Sequence, residues 1–252
     1  MSIEGRVALV TGGSGGLGRI HCLTLARAGC HVAVGGYTHM DKAEQVVEEI
    51  RALGRKAMAV KMDVANFDEV QAVIKQVEEK LGPVTILVNN AAFGIVRAIT
   101  IARMSLADWA RDVAVNLTGP FNTIKACLPG MLERGWGRVI NVSSIAGTMG
   151  GAGQCSYAAT KAGLIGLTKT TALEGARKGV TANAVVLGVF DGGSFYEVAP
   201  EYQERIIKRM AMRRAGTPQE LSNVVAFLAS EESSYITGEA IEVSGGAGLF
   251  TF

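Results

Sequence analysis

The chain has 252 residues, 48% of them hydrophobic and 19% charged, a composition that builds a sizeable core and excludes a disordered chain. A formal net charge of +2 gives no general attraction to nucleic acid or to an anionic membrane surface. No unbroken apolar run reaches the roughly 18 residues of a membrane span, and Met1 to Arg6 lack the basic-then-apolar pattern of a secretory leader, so a cytoplasmic protein with no membrane or nucleic-acid partner is expected.

In chain order, Arg6 to Val10 reads as a strand, and Thr11-Gly12-Gly13-Ser14-Gly15-Gly16-Leu17-Gly18 joins it to a helical pattern from Leu17 to Ala28. Glycines in that position let the backbone turn tightly and approach a bulky anion, while the helix start offers unpaired N–H groups to a pyrophosphate. The strand before and the helix after give the pattern its weight. His31 to Val34 is the second strand. Gly35, Gly36 and Tyr37 follow it, so no carboxylate stands where one would grip ribose hydroxyls and repel a 2′-phosphate. His39 and Lys42 lie just beyond. This favours NADP(H), with NAD(H) as the second choice.

Lys42 to Leu53 and Phe67 to Leu81 read as helices flanking a strand from Ala57 to Met62. Val84 to Val88 is a strand closed by Asn89-Asn90-Ala91-Ala92. A long helical pattern runs from Ala107 to Arg134 and carries Asn116, a poor helix former, inside it. Arg138 to Val142 is a strand closed by Ser143-Ser144, and Tyr157 to Lys178 a helix. Thr181 to Leu187 is a strand, Gly188 to Ala215 an irregular segment suited to a flap, Gln219 to Ser230 a helix and Ala240 to Val243 the last strand. Such alternation of continuously apolar strands with helices predicts an α/β, doubly wound Rossmann fold. Its parallel sheet would have about seven strands, with helices on both faces, and residues 1–252 would form one domain.

Tyr157 and Lys161 stand four residues apart, so on a helix they share a face. A free phenol has a pKa of about 10, and an adjacent ammonium lowers it, which makes the pair an acid/base device for carbonyl reduction. Alone, the pair is weak evidence. Ser143-Ser144 strengthens it, because open α/β sheets bind ligands at the carboxyl ends of their strands and a serine there can stabilise a developing alkoxide. The three histidines all fall before residue 40, which leaves Ser144 no histidine base and argues against a Ser-His-Asp hydrolase. The cysteines Cys22, Cys30, Cys127 and Cys155 lack Cys-x-x-Cys spacing, and no His/Cys/carboxylate cluster has ligand spacing, so no metal is expected.

Thr11-Gly12-x-x-x-Gly16-x-Gly18, Asp63-Val64, Asn89-Asn90-Ala91, Asn116, Ser144 and Tyr157-x-x-x-Lys161 together resemble the short-chain dehydrogenase/reductase family, over nearly the whole chain. The resemblance implies that Tyr157 exchanges a proton with the substrate oxygen and that Ser144 hydrogen-bonds the carbonyl, Ser143 being the weaker candidate. It implies that Lys161 lowers the tyrosine pKa and binds the nicotinamide ribose. Asn116 would hold a helix bend and a water leading from Lys161 to solvent. Gly12, Ser14, Gly16, Leu17, Gly18, Asp63, Val64 and Asn90, with Tyr157 and Lys161, would bind the dinucleotide, with Asp63 and Val64 at the adenine and Asn89 beneath the cofactor. A homotetramer built on the two long helices is implied as well.

The chain departs from the family pattern after its sixth strand. Leu187-Gly188-Val189-Phe190-Asp191-Gly192 stands where Pro-Gly and a later threonine are usual, and Ser244 replaces the Asp that often precedes the late Gly-Gly. Glu133 to Ser144 is similar to acetoacetyl-CoA and acyl-carrier-protein reductases. A 3-oxoacyl thioester, carried by coenzyme A or an acyl carrier protein, is therefore the leading substrate. The basic group Lys208, Arg209, Arg213 and Arg214 could attract its phosphate. A different secondary alcohol, cyclic or aromatic, is the near alternative. A dinucleotide-binding scaffold or sensor without turnover is the alternative from another class.

Overall fold

The structure is a computed structural model and describes residues 3–94 and 98–249. Seven strands form one all-parallel sheet in the order β3-β2-β1-β4-β5-β6-β7. They are β1 (Val7–Val10), β2 (His31–Gly36), β3 (Ala57–Lys61), β4 (Val84–Asn89), β5 (Gly137–Ser144), β6 (Val180–Leu187) and β7 (Ala240–Val243). The order reverses beside β1, which opens a crevice between the carboxyl ends of β1 and β4. Every residue of β1 and β4 is buried, as strands covered on both faces must be.

Helices fill both faces. α1 (Gly16–Arg27), α2 (Met40–Ala52) and α9 (Pro218–Leu228) pack over one core built on Val10, Val34, Val88, Ile140 and Leu221. α3 (Phe67–Leu81), α5 (Gly119–Arg134) and α7 (Cys155–Gly175) cover the other, built on Leu9, Val60, Leu87, Val139 and Ala182. α4 (Leu106–Val113), α6 (Ile145–Met149) and α8 (Pro200–Arg209) are shorter and lie toward the carboxyl edge of the sheet or its flap. Asn66 caps α3 by accepting from Asp68 and Glu69 N–H, and a reciprocal Thr217/Glu220 capping box starts α9.

Two expected elements differ. The helix read from Ala107 to Arg134 is broken into α4, a π-helical turn at Ala114–Thr118, and α5. Asn116 lies at the centre of the turn and is fully buried. Its side chain bonds to the backbone of another segment, and the widened turn accommodates that. The segment Gly188 to Ala215 is not wholly irregular, since it holds a 3₁₀ turn at Gly193–Glu197 and α8. Pro200 sits in the first turn of α8, where its missing N–H costs nothing.

α1 and α9 meet at His21, which is buried with its Nδ1 2.8 Å from the Ser222 hydroxyl, while Nε2 has no hydrogen-bond partner. Burial lowers its pKa from 6.5 to about 4. The unfolded chain therefore takes up this proton first as the pH falls, and the contribution of neutral His21 is present above pH 6.5 and lost between 6.5 and 4. That shift corresponds to about 3 kcal/mol. In urea titrations across this range, a His21→Gln variant is expected to lose markedly less stability than the parent chain. Parallel curves for the two would contradict the assignment.

Candidate active site

The glycine turn is shaped by contacts that exclude side chains. Gly12 has φ +63° and lies against Ala91, whose Cα would be 3.0 Å from an added Cβ. At Gly18 a Cβ would collide with the Gly12 carbonyl and approach Asn90 Nδ2 to 2.7 Å. Both positions therefore require glycine. Gly13 N–H donates to Gly35 O at 2.7 Å, which ties the turn to the end of β2 beside half-buried Ser14. Leu17 packs on the core below.

Thr11 and Asn90 close the crevice. The Thr11 hydroxyl accepts from the N–H groups of Asn90 and Ala91, both at 3.0 Å, and Asn90 Nδ2 donates to the carbonyls of Thr11 and Gly12, both at 3.1 Å. Above the turn, Gly15 and Gly16 face open space. The N-cap of α1, Gly15, offers no side chain to its N–H groups, and the first turn has no acidic residue. A cradle of donors at the positive end of a 12-residue helix, with no acidic residue in its own first turn, fits a pyrophosphate.

Asp63 and Val64 follow β3 at the same edge. The Asp63 carboxylate accepts from Ala65 N–H, and its own N–H donates to Glu69. Val64 presses on Gly119, where a Cβ would lie 2.6 Å from its Cγ2, and its carbonyl accepts from Asn122. Asn89 is buried in a polar chain, Thr123 to Asn89 (2.6 Å), Asn89 to Asn141 (2.9 Å) and Asn141 to Thr168 (2.8 Å), that joins α5 to α7 through β4 and β5. That role was not visible in the sequence, although an Asn at matching depth in two neighbouring strands is its signal.

Ser144, Tyr157 and Lys161 converge at the end of β5. Strand alternation separates the two serines. Ser143 turns inward and donates to the Lys161 carbonyl at 2.8 Å, whereas Ser144 faces the site and accepts from Ala146 N–H at 3.2 Å at the start of α6. Tyr157, Lys161, Leu164 and Thr168 lie on the buried stripe of α7. Lys161 is 2% exposed and its ammonium donates to Val142 O at 2.6 Å, 5.6 Å from the centre of the Tyr157 ring. Asn116 binds the backbone of Phe93 twice, accepting from its N–H at 2.8 Å and donating to its carbonyl at 2.9 Å. The π-turn thus holds the loop after β4.

The electrostatics differ from the expectation that the ammonium lowers the phenol pKa. Burial raises the Tyr157 pKa, and a hydrogen bond with the Ser144 side chain offsets part of the rise. The Lys161 ammonium is directed at the Val142 carbonyl, and burial lowers its own pKa to about 8. Both groups are driven toward their neutral forms, because a charge here loses its hydration.

Of the basic group near the flap, Lys208 pairs with Glu204 at 2.6 Å and Arg214 with Glu220 at 2.7 Å, which leaves Arg209 and Arg213 as exposed cations with no carboxylate partner among the described residues. The departure after β6 has its own structure. Phe190 is buried and its ring lies over Gly216, while Asp191 N–H donates to Gly216 O and Gly216 N–H to Val189 O. These contacts pin both ends of the flap. A cleft lined by Val189, Phe190, Met212, Arg214 and Ser244 lies at this base and is distinct from the Tyr157 cluster. Among the described residues no group of His, Cys, Asp and Glu could hold a metal ion, and no helix is long and apolar enough to cross a membrane.

Comparison with known proteins agrees with this geometry. A family model described as short chain dehydrogenase matches residues 6–203. A 3-oxoacyl-(acyl-carrier-protein) reductase of Staphylococcus epidermidis is 44% identical over 95% of this chain and 97% of its own length. Nodulation protein G of Azospirillum brasilense is 42% identical over 96% of this chain and 97% of its own. Among solved structures, a 3-oxoacyl-(acyl-carrier protein) reductase from Brucella melitensis superposes with a TM-score of 0.91 at 34% identity, covering 97% of this chain and 92% of that one. A putative gluconate dehydrogenase from Agrobacterium tumefaciens gives 0.93 at 33% identity, covering 98% and 97%.

The buried amine has a measurable consequence. With a folded pKa of about 8 against an ordinary 10.5, the unfolded chain binds the extra proton between those values, so stability rises with pH across that window. Below pH 8 the full cost, about 3 kcal/mol, is present. The stability advantage of a Lys161→Met variant is expected to be largest at pH 7 and to shrink steadily above pH 8. A difference that stays constant from pH 7 to 10 would contradict this.

Proposed function

This chain belongs to the short-chain dehydrogenase/reductase family, and on that premise we propose that it reduces a 3-oxoacyl thioester with NADPH. It is an oxidoreductase acting on the CH–OH/C=O pair, so the scaffold reading without turnover falls away. The observation that carries the chemistry is the convergence of Ser144, Tyr157 and Lys161 at the end of β5, separated from the glycine turn after β1 by the single strand β4. The thioester rests on the 3-oxoacyl-(acyl-carrier-protein) reductases among the relatives.

Gly12, Ser14, Gly16, Leu17 and Gly18 hold the pyrophosphate, Asp63 and Val64 the adenine, and Lys161 the nicotinamide ribose. Asn90 braces the turn that carries them. The dinucleotide, once bound, supplies hydride. Ser144 and Tyr157 donate hydrogen bonds to the substrate carbonyl oxygen and meet the negative charge that grows there. The Tyr157 proton then passes to that oxygen. Burial of Tyr157 keeps this proton in place at neutral pH, as an acid in the reductive direction requires. Asn116, in the π-turn, keeps the loop after β4 in place for a water path from Lys161.

NADPH is favoured over NADH because Gly35, Gly36 and Tyr37 end β2 without a carboxylate, while exposed His39 and Lys42 stand at the start of α2. Arg19 does not compete for the phosphate, being held by both carboxylate oxygens of Glu49 at 3.0 and 2.5 Å. Exposed Phe121 on α5 and Leu173 on α7 suit self-association, and we propose a homotetramer in the cytoplasm. A second reading, another secondary alcohol as substrate, is favoured by Phe190 and the altered segment from Leu187 to Gly193.

Reduced-nicotinamide absorbance, followed with NADPH and NADH against acetoacetyl thioesters and simple ketones, tests the proposal. NADPH with a thioester is expected to give the highest kcat/KM, at least about tenfold above NADH. Tyr157→Phe is expected to lower kcat about a hundredfold or more while dinucleotide binding persists. Preference for NADH, or for ketones lacking a thioester, would overturn the corresponding part. Near-normal turnover in Tyr157→Phe would remove the tyrosine mechanism.

A further inference from the structure

The described residues of α4 bury one side chain, and it is a carboxylate: Asp112, 1% exposed. Removing such a group from water is costly unless strong hydrogen bonds compensate. Its Oδ2 accepts from the hydroxyl of Ser156 at 2.5 Å, across 44 positions of sequence, and Ser156 is itself 2% exposed. That length is typical of a hydroxyl donating to a carboxylate, the stronger class of hydrogen bond. Ser156 directly precedes Tyr157 in the first turn of α7.

That first turn lacks the usual local anchors. Gln154, at the N-cap, makes no capping side-chain hydrogen bond, and no acidic residue lies in the first turn. Helix ends without such partners fray, and their positive dipole goes uncompensated. Asp112 supplies both missing elements from outside the helix, a hydrogen-bond acceptor and a negative charge. α4 in turn continues into the π-turn whose Asn116 grips the backbone of Phe93. One short helix therefore links the loop beyond β4 to the turn that carries the tyrosine.

We propose that Asp112 is a positioning residue for Tyr157, acting through the Ser156 hydroxyl to fix the first turn of α7 so that the phenol stays aimed at Ser144. This rests on the reading of Tyr157 as the proton carrier. The residue touches neither substrate nor dinucleotide. Its loss should therefore slow the chemical step and spare dinucleotide binding.

Steady-state kinetics and amide hydrogen exchange on the full chain test the proposal with Asp112→Ala, Asp112→Asn, Ser156→Ala and the double alanine variant. Asp112→Ala is expected to lower kcat about tenfold or more, with the dinucleotide KM within about twofold. Asp112→Asn keeps an acceptor and should restore most of the loss, and the double variant should fall no further than the worse single one. Exchange at residues 155–159 should quicken about tenfold in the alanine variants. If Asp112→Ala does not fold, Ser156→Ala, a smaller change, carries the same expectations. Parental kcat in a folded alanine variant, failure of Asn to restore it, or unchanged exchange in the first turn would overturn the proposal. Quickened exchange in a chain whose parent reduces no carbonyl would instead uphold the tether and sink the reading of Tyr157 on which its purpose rests.

Discussion

The hydrogen bond from the buried Lys161 ammonium to the Val142 carbonyl is the constraint on which the candidate site depends. Together with the bond from Ser143 to the Lys161 carbonyl, it rivets α7 to the last residues of β5. Ser144 leaves the strand one residue later, and Tyr157 sits one helical turn before Lys161. The two hydroxyls are thus set by a single joint between strand and helix. The joint is tight, since a side chain at Gly147 in α6 would run into the Lys161 backbone, with the Lys161 carbonyl carbon 2.7 Å from the added Cβ.

Burial makes the joint electrostatically tense. Burial pushes the pKa of this ammonium, held by one carbonyl, down to about 8, and pushes that of the phenol beside it the other way. A phenol that keeps its proton beside an easily deprotonated ammonium suits a site that must pass a proton and then recover it. The buried chain Thr123–Asn89–Asn141–Thr168 supports the same region from beneath, and as a satisfied polar network it favours one arrangement over looser apolar packing. Asp112 and Ser156 extend this support to the start of α7.

Much of this was legible in the sequence because the signals are geometric. Strand after strand of apolar residues specified the parallel sheet, and the glycine spacing marked the turn at β1. Tyr157 and Lys161 could be paired by helical period, and Ser144 by its place at a strand end. Four features were hidden for physical reasons. The π-turn contains neither glycine nor proline to mark a break, so only Asn116 hinted at it. α8 begins with a proline and buries no residue, so no stripe announced it. The direction of the Tyr157 shift depends on desolvation, which spacing alone does not reveal. Asp112 was likewise invisible, because an acid on a helix ordinarily faces water.

Direct transfer of hydrogen to carbon is the central claim, and isotopic labelling reads it without reliance on rates. A dinucleotide deuterated at the transferring C4 position, turned over with an acetoacetyl thioester, is expected to leave one deuterium on the carbinol carbon and none on the hydroxyl, as seen by NMR of the product. A product without deuterium at that carbon would contradict the account.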